Sequence, residues 1–306
     1  THALRSRQIA VEDAIDPMEV CFDRGWTDGL PVTPPTVERV LCMLEGTRRD
    51  PQEIVGKLPP NLVDCSIEKI AVNAVMAGCK PEYLPVVIAA VEAALIPALG
   101  LHGIVATTNA VGPVVMVNGP LARAIGMNAK GNALGQGNRA NATIGRALQL
   151  VVRNVGGGRP QEVDRAVFGN PGKYTFCFAE DEDDRLWTTY AEERGFARTQ
   201  STVTLFPGDG NTPIIDHTSR TAADLADSFA GCLRAVYHPG QVNDVSAFVI
   251  VGPEHAAVFH ADGWSKEKLK DELHARLQLR LDELVGGRGG LGPLLAADPA
   301  TSPARR

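Results

Sequence analysis

The sequence predicts an α/β fold, because segments with helical periodicity alternate with short, β-branched segments bounded by glycine. Apolar residues recur at helical spacing over 66–77, and again from Pro81 or Pro85 to Leu95, which predicts two packed helices. The segments 113–117 and 202–206 are short, apolar and β-branched, which is typical of strands. This alternation favours helices packed on a short-stranded sheet.

The remaining elements are predicted from the same periodicities and from turn residues. Further helices are expected at 36–44, 143–153, 222–237 and 266–284. Further strands are expected at 103–106, 174–178 and 247–251.

Turn signals divide the chain into four parts. We expect an N-terminal segment with one helix (1–60), a first α/β lobe (61–170), a second α/β lobe (171–285) and a flexible tail (286–306). A strand, Gly-Pro and helix pattern occurs at Gly119-Pro120 and again at Gly252-Pro253, each time after an Ala-Gly-Cys triplet. The repetition predicts two related lobes, with chance similarity in an Ala- and Gly-rich chain as the alternative.

Composition excludes several classes of function. A net charge of −6 over 306 residues provides no basic footprint for nucleic acid. Apolar runs are too short and too interrupted for a membrane-spanning helix. The six cysteines are widely spread without a C-x-x-C pair, and no export signal is visible, so reduced thiols in the cytoplasm are expected. We also expect a homo- or hetero-oligomer.

Cys79 is the cysteine with the most chemical context. It lies between Gly78, which is expected to end one helix, and Pro81, which can begin the next. A thiol just before a helix N-terminus faces unpaired N–H groups, which lower its pKa and favour a nucleophilic thiolate. Glu82 is the expected acid/base partner. The alternative is that Cys79 is a small buried hydrophobe, as we expect of Cys177 and Cys232.

A Gly/Asn-rich loop at 135–141 precedes the predicted helix 143–153. Its glycines allow backbone N–H groups to approach a ligand, and a helix N-terminus favours an anion. A carboxylate or phosphate is therefore expected there, bound by Asn138, Asn141 and Arg146 with the help of Asn73. The alternative is a tight turn that the fold itself requires.

Four further polar residues lie where chemistry is plausible. His255 follows a predicted strand, at the kind of edge where α/β sheets bind ligands, and is a candidate general base. Asp28 lies in a compact turn and is expected to orient substrate, with a purely structural turn aspartate as the alternative. Asp216, His217 and His255 form an alternative metal site, and no other cofactor is predicted.

Five stretches also resemble a known family. They are GWTDGLPV (25–32), AVNAVMAGCKPEY (71–83), NRANATIGRA (138–147), and GPEHA with DGWSK (252–256 and 262–266). They resemble a bacterial family associated with proteins that carry a U-G-S-C or Cys-Gly-Ser-Cys motif, loosely labelled thioredoxin-like. The resemblance covers roughly residues 20 to 280. The motif itself is absent from this chain, so the resemblance implies a separate Cys/Sec-Gly-Ser-Cys subunit wherever that motif is needed.

These observations lead to one functional hypothesis and two alternatives. The first is a cysteine-dependent enzyme or subunit that acts on a small anionic organic substrate by redox or lyase-type chemistry, with Cys79, Glu82 and His255 as catalytic residues. The second is a metal-assisted hydrolase or hydratase. The third is a non-catalytic scaffold subunit for a Cys/Sec-Gly-Ser-Cys partner, which requires a buried, inert Cys79.

Overall fold

The computed structural model describes residues 4–183, 186–236 and 246–278. These residues form a mixed α/β protein, as the sequence predicts. The helices are α1 (Pro17–Asp23), α2 (Val37–Leu44), α3 (Ile67–Ala77), α4 (Leu84–Ala94), α5 (Leu101–Val105), α6 (Pro120–Ala124), α7 (Arg139–Asn154), α8 (Tyr190–Glu193), α9 (Ala222–Val236), α10 (Pro253–Ala261) and α11 (Lys266–Leu277). The strands are β1 (Ile54–Leu58), β2 (Val63–Ser66), β3 (Gly112–Asn118), β4 (Cys177–Ala179) and β5 (Thr202–Gly208).

The described residues divide into two compact units. The first comprises 4–183 and 188–211, and the second comprises 186–187 and the residues from 212 onward. The second unit has a core of its own around Phe229 and Phe259, whose rings meet edge to face at 5.6 Å. That core holds α9, α10 and α11 together.

The first unit contains both sheets. In the three-stranded sheet, β3 lies in the centre, parallel to β4 and antiparallel to β5. Every residue of β3 is buried, as expected for a central strand covered on both faces. The second sheet is the antiparallel hairpin of β1 and β2.

Local sequence explains where the main helices begin and end. The side chains of Thr36, Ser66 and Asn138 accept hydrogen bonds from the first turns of α2, α3 and α7, which satisfies otherwise unpaired N–H groups. Gly78 ends α3 in the left-handed conformation at φ 87°, a conformation that glycine adopts without strain. At Gly145 of α7, an added Cβ would lie 2.5 Å from Thr175 Oγ1. Glycine at this position therefore allows α7 to pack closely against the segment that leads into β4.

Several predicted elements are corrected. Residues 103–106 lie in or directly after α5, not in a strand, because the β-branched pair Ile104-Val105 packs on one buried helical turn. The hairpin of β1 and β2 was not predicted, because apolar and polar side chains do not alternate regularly along its two short strands. The predicted strand 174–178 is only partly right, since β4 begins at Cys177. Helix α7 begins at Arg139, four residues before the predicted start.

The expected pair of related lobes is not confirmed. Residues 247–251 form no strand, and Val249 and Val251 instead pack on the helical core of the second unit. All strands that the structure describes therefore belong to the first unit, and the Gly252-Pro253 pattern has no strand to match β3. The end of the predicted helix 266–284 and the tail 286–306 lie outside the described residues.

Among the described residues, no single helix is long and apolar enough to cross a membrane. One bent pair, Pro81–Ala94 with Pro97–Val105, passes by length and composition alone.

A buried carboxylate attaches the N-terminal segment to α3. Glu68 is 1% exposed and accepts hydrogen bonds from the backbone N–H groups of Arg5 and Ser6 and from Gln52 Nε2. Burial raises the pKa of Glu68, but these hydrogen bonds outweigh that effect and hold the pKa below its ordinary value.

Glu68→Gln is expected to lower the free energy of unfolding by about 1–3 kcal/mol, because an amide has one acceptor oxygen and turns an N–H₂ group toward buried donors. Urea unfolding of the native chain and the variant measures the difference. Glu82→Gln, at an exposed site, is the matched control. Equal loss of stability in both variants would contradict the role assigned to Glu68.

Candidate functional site

A cavity of about 170 Å³ adjoins α2, the end of α3 and the start of α7. Its lining includes two thiols, Cys42 and Cys79, and two guanidinium side chains, Arg39 and Arg139. The rest of the lining is small or apolar, formed by Thr33, Met43, Val75, Gly78 and Pro81. Cationic and thiol groups therefore share one small, partly apolar space.

The backbone around Cys79 is organised by the end of α3. The Gly78 N–H donates to Val75 O, and the Cys79 N–H donates to Ala74 O, each at 2.9 Å. The donors next to the thiol are thus engaged in capping the preceding helix. The sulfur lies against α7 and donates to Thr143 O at 3.3 Å.

The structure contradicts the predicted accessible, low-pKa thiolate. Cys79 is only 7% exposed, and burial raises the pKa of its thiol to about 12 despite the nearby charge of Arg139. Since a carbonyl oxygen only accepts, the bond to Thr143 O also requires the protonated thiol. The sequence argument placed Cys79 before a helix correctly, but it could not show that the sulfur packs against α7.

The other cysteines differ in exposure. Cys177 is buried on β4, and burial, with a contribution from Cys79, raises the pKa of its thiol. Cys232 is only partly buried, whereas Cys42 is exposed. Cys42 is thus the accessible thiol of the cavity.

Glu82 lies in a single 3-10 turn, Pro81–Tyr83, after Cys79. Its carboxylate is half exposed and lies 3.6 Å from Lys80 Nζ. This is a solvated ion pair between near neighbours, and the acid/base role of Glu82 stays a prediction.

Arg146 forms a two-point ion pair with Asp28. Its Nε and Nη2 donate to the two carboxylate oxygens of Asp28, each at 2.8 Å. Nη2 also donates to the carbonyls of Leu30 and Pro31. Both side chains of the ion pair are largely buried. Asp28 and Arg146 therefore join the N-terminal turn to α7, and their role in substrate binding stays a prediction.

The three predicted asparagines are also engaged with the protein. Asn138 caps α7 through Asn141 N and donates to Gly126 O. Asn141, 2% exposed, accepts from Asn128 N and donates to two loop carbonyls. Asn73 donates to Lys69 O and accepts from Asn154 Nδ2. These bonds agree with the alternative of a structural turn, and the role of the three asparagines in anion binding stays a prediction.

His255 meets the backbone of Asp216 in the second unit. His255 Nε2 lies 3.0 Å from the backbone carbonyl of Asp216. The Ser219 backbone N–H and the Ser228 and Ser219 hydroxyls hold the pKa of the Asp216 carboxyl well below its ordinary value. His217 is exposed. Within the described ranges, no group of three or more His, Cys, Asp or Glu side chains is arranged to hold a metal ion.

The sequence analysis missed Arg39 and Cys42. They lie three residues apart on α2, on the face that also carries Met43. Residues at that spacing share one helical face, so this signal was present. The sequence alone did not show that this face of α2 approaches the end of α3, so a site shared with Cys79 could not be predicted.

Comparison with known proteins identifies no relative. No family model matches the chain, and neither a curated protein nor a solved structure is significantly similar to it. The resemblance to the family associated with the Cys/Sec-Gly-Ser-Cys motif is therefore neither supported nor contradicted by these comparisons.

Proposed function

We propose that this protein binds a small organic anion, a carboxylate or phosphate, in the Cys79 cavity, as an enzyme or as a subunit of one. The observation that carries the proposal is that Arg39 and Arg139 line the same cavity. Guanidinium groups bind carboxylate and phosphate through paired hydrogen bonds.

Both guanidinium groups keep donors for a ligand. Arg39 uses Nη1 for Pro34 O, and Arg139 uses Nε for Gly78 O. A guanidinium has five N–H donors, and neither side chain forms a salt bridge with a carboxylate in the part of the chain that the structure describes. Each backbone contact orients its guanidinium, and the remaining N–H groups are open to an anion.

The size and lining of the cavity restrict the ligand. The cavity of about 170 Å³ is smaller than the roughly 300–1,000 Å³ typical of drug-sized ligands. Met43, Val75 and Pro81 provide apolar contact. A short carbon chain with one anionic group fits this description better than a nucleotide.

The protonation state and burial of the Cys79 thiol bear on its role in catalysis. A protonated, buried thiol is a contact for the ligand and not a nucleophile. This observation favours the scaffold alternative, in which the chain supports a Cys/Sec-Gly-Ser-Cys partner that carries out the thiol chemistry. If Cys79 itself reacts, ligand or partner binding must first supply a base or open the site. No observation favours the metal-assisted hydrolase.

Arg139→Gln and Arg39→Gln are each expected to weaken binding of inorganic phosphate or a short carboxylate by about 1.5–3 kcal/mol, the value of a hydrogen bond to a charged group. Calorimetric titration of the native chain and the variants measures the loss. Lys57→Gln removes an exposed cation from the β1–β2 hairpin and is the matched control. Binding that Lys57→Gln weakens as much as Arg139→Gln, or no binding of any of these anions to the native chain, would refute the proposal.

A further inference from the structure

Strand β5 forms one edge of the three-stranded sheet, in which the strand order is β4-β3-β5. It has seven residues, more than the about five to six of an ordinary strand. An edge strand presents a row of backbone N–H and C=O groups that can pair with another chain. The pairing of β5 with β3 determines which groups these are.

The outward-facing backbone groups of β5 are identified by a pair of prolines. Opposite residues of an antiparallel pair alternate between those that exchange two hydrogen bonds and those that exchange none. Pro113 lies opposite Pro207, and neither residue has an N–H group, so this pair exchanges none. Leu205 and Val203 lie two and four residues earlier and belong to the same set. Their N–H and C=O groups therefore point away from β3.

The pairing on the other side of β3 gives the same result. Val115 lies opposite Leu205, and its N–H donates to Phe176 O, on the β4 side, at 2.9 Å. Val115 therefore turns its N–H away from β5. Within the described ranges, the outer backbone groups of Val203 and Leu205 have no hydrogen-bond partner. Because such groups pair either with protein or with water, this edge is available to another strand.

No charged side chain on β5 protects this edge. The strand reads TVTLFPG, whereas natural edge strands are commonly protected by lysine, by proline or by a bulge. Its pairing with β3 is regular over all seven residues, without a bulge. Pro207 is the one protective residue, and it lies near the C-terminal end. The edge from Val203 to Leu205 therefore stays free for pairing.

We infer that β5 pairs antiparallel with β5 of a second copy of this chain, around a two-fold axis beside Thr204. In this register Val203 lies opposite the partner's Leu205, and Leu205 lies opposite the partner's Val203. Each of these two pairs exchanges two N–H···O=C bonds, so four bonds form. The two sheets then join into one six-stranded sheet.

The sequence of β5 selects both the occupant and the register. A two-fold contact requires a self-complementary surface, and the outer groups on either side of Thr204 provide it, without like charges opposite each other. Thr204 meets its own copy in a favourable threonine pair. A shift of two residues one way places Leu205 opposite Pro207, which has no N–H to donate. A shift the other way places Leu205 opposite Thr199, in the turn before β5.

The first test is analytical ultracentrifugation of the full chain, for which a dimer is expected at micromolar concentration. Leu205→Pro removes the outward N–H without removing a bond to β3, so two of the four bonds between the copies are lost. The dimer is expected to weaken about 10- to 100-fold. Leu205→Ala loses the same packing on the core but keeps the N–H, and it is the matched control, expected to weaken the dimer less. Circular dichroism shows whether each variant is folded.

The second test is cross-linking of Thr204→Cys, which keeps every backbone group. Opposite residues at a pair without hydrogen bonds have Cα atoms about 4.5 Å apart, within the range of a disulfide. With oxidised glutathione, this variant is expected to form a covalent dimer faster than the native chain and faster than Ala197→Cys, a control at an exposed position.

Three results would overturn the inference. The first is a native chain that stays monomeric, including one that pairs along β5 only with a different protein. The second is a dimer that Leu205→Pro weakens no more than Leu205→Ala does. The third is equal cross-linking of Thr204→Cys and Ala197→Cys.

Discussion

Arg146→Ala is expected to lower the free energy of unfolding by about 3–5 kcal/mol, the cost of leaving one charge of a buried ion pair without its partner. The side chains of Arg146 and Asp28 are 14% and 11% exposed. The variant loses both bonds to the Asp28 carboxylate and the bonds to the carbonyls of Leu30 and Pro31. The Asp28 carboxylate would remain largely buried without a counter-ion.

Chemical unfolding of three variants tests this role. Arg146→Ala, Asp28→Ala and the double variant form a cycle, in which the double variant is expected to lose less stability than the two single variants together. Lys57→Ala is the control, because the pair of Lys57 and Asp64 is exposed and a solvated pair contributes little to stability. An Arg146→Ala variant that is no less stable than Lys57→Ala would show that this pair does not hold the N-terminal turn on α7.

The same pair predicts a pH dependence. Burial alone raises the pKa of Asp28, but the hydrogen bonds and charge of Arg146 outweigh it and leave the pKa below its ordinary value. The stabilisation is therefore fully present above the unfolded pKa of about 4, and is lost as the pH falls through the lower, folded value. The difference in stability between the native chain and Asp28→Asn is expected to be constant from pH 7 to 5 and to shrink below pH 4.

Cys79 is expected to resist alkylation in the native protein while Cys42 reacts. With a pKa of about 12, the thiolate fraction of Cys79 at pH 8 is roughly 10³-fold lower than that of an ordinary cysteine with a pKa of about 8.5. Burial of the sulfur slows the reagent further. Timed labelling with iodoacetamide, followed by mass spectrometry of the peptides, measures the order of reaction.

The order of labelling also separates the functional alternatives. Labelling of Cys79 only after denaturation agrees with a scaffold or a closed ligand site. Labelling that accelerates when a short carboxylate or a Cys-Gly-Ser-Cys peptide is added would indicate that binding opens a reactive thiol. If Cys79 is labelled before Cys42 in the untreated native protein, the buried, protonated thiol assigned here is wrong.

The elements specified by nearby residues were predictable from the sequence. Helix α3 lies within one residue of its predicted bounds at each end, because its apolar stripe, its Ser66 cap and its Gly78 stop all act over a few positions. Strand β3 was predictable because its valines favour an extended backbone and glycines bound the apolar run on both sides. The position of Cys79 between two helices followed from the same local signals.

The candidate site depended on residues far apart in the chain, and only the tertiary structure decided it. Asp28 and Arg146 are 118 positions apart, and no local pattern shows that each satisfies the other. The same holds for Cys79, whose sulfur is packed against α7 and donates to Thr143 O. Capping and periodicity act within one or two turns, whereas the burial and charge state of a side chain are determined by elements that folding brings to it.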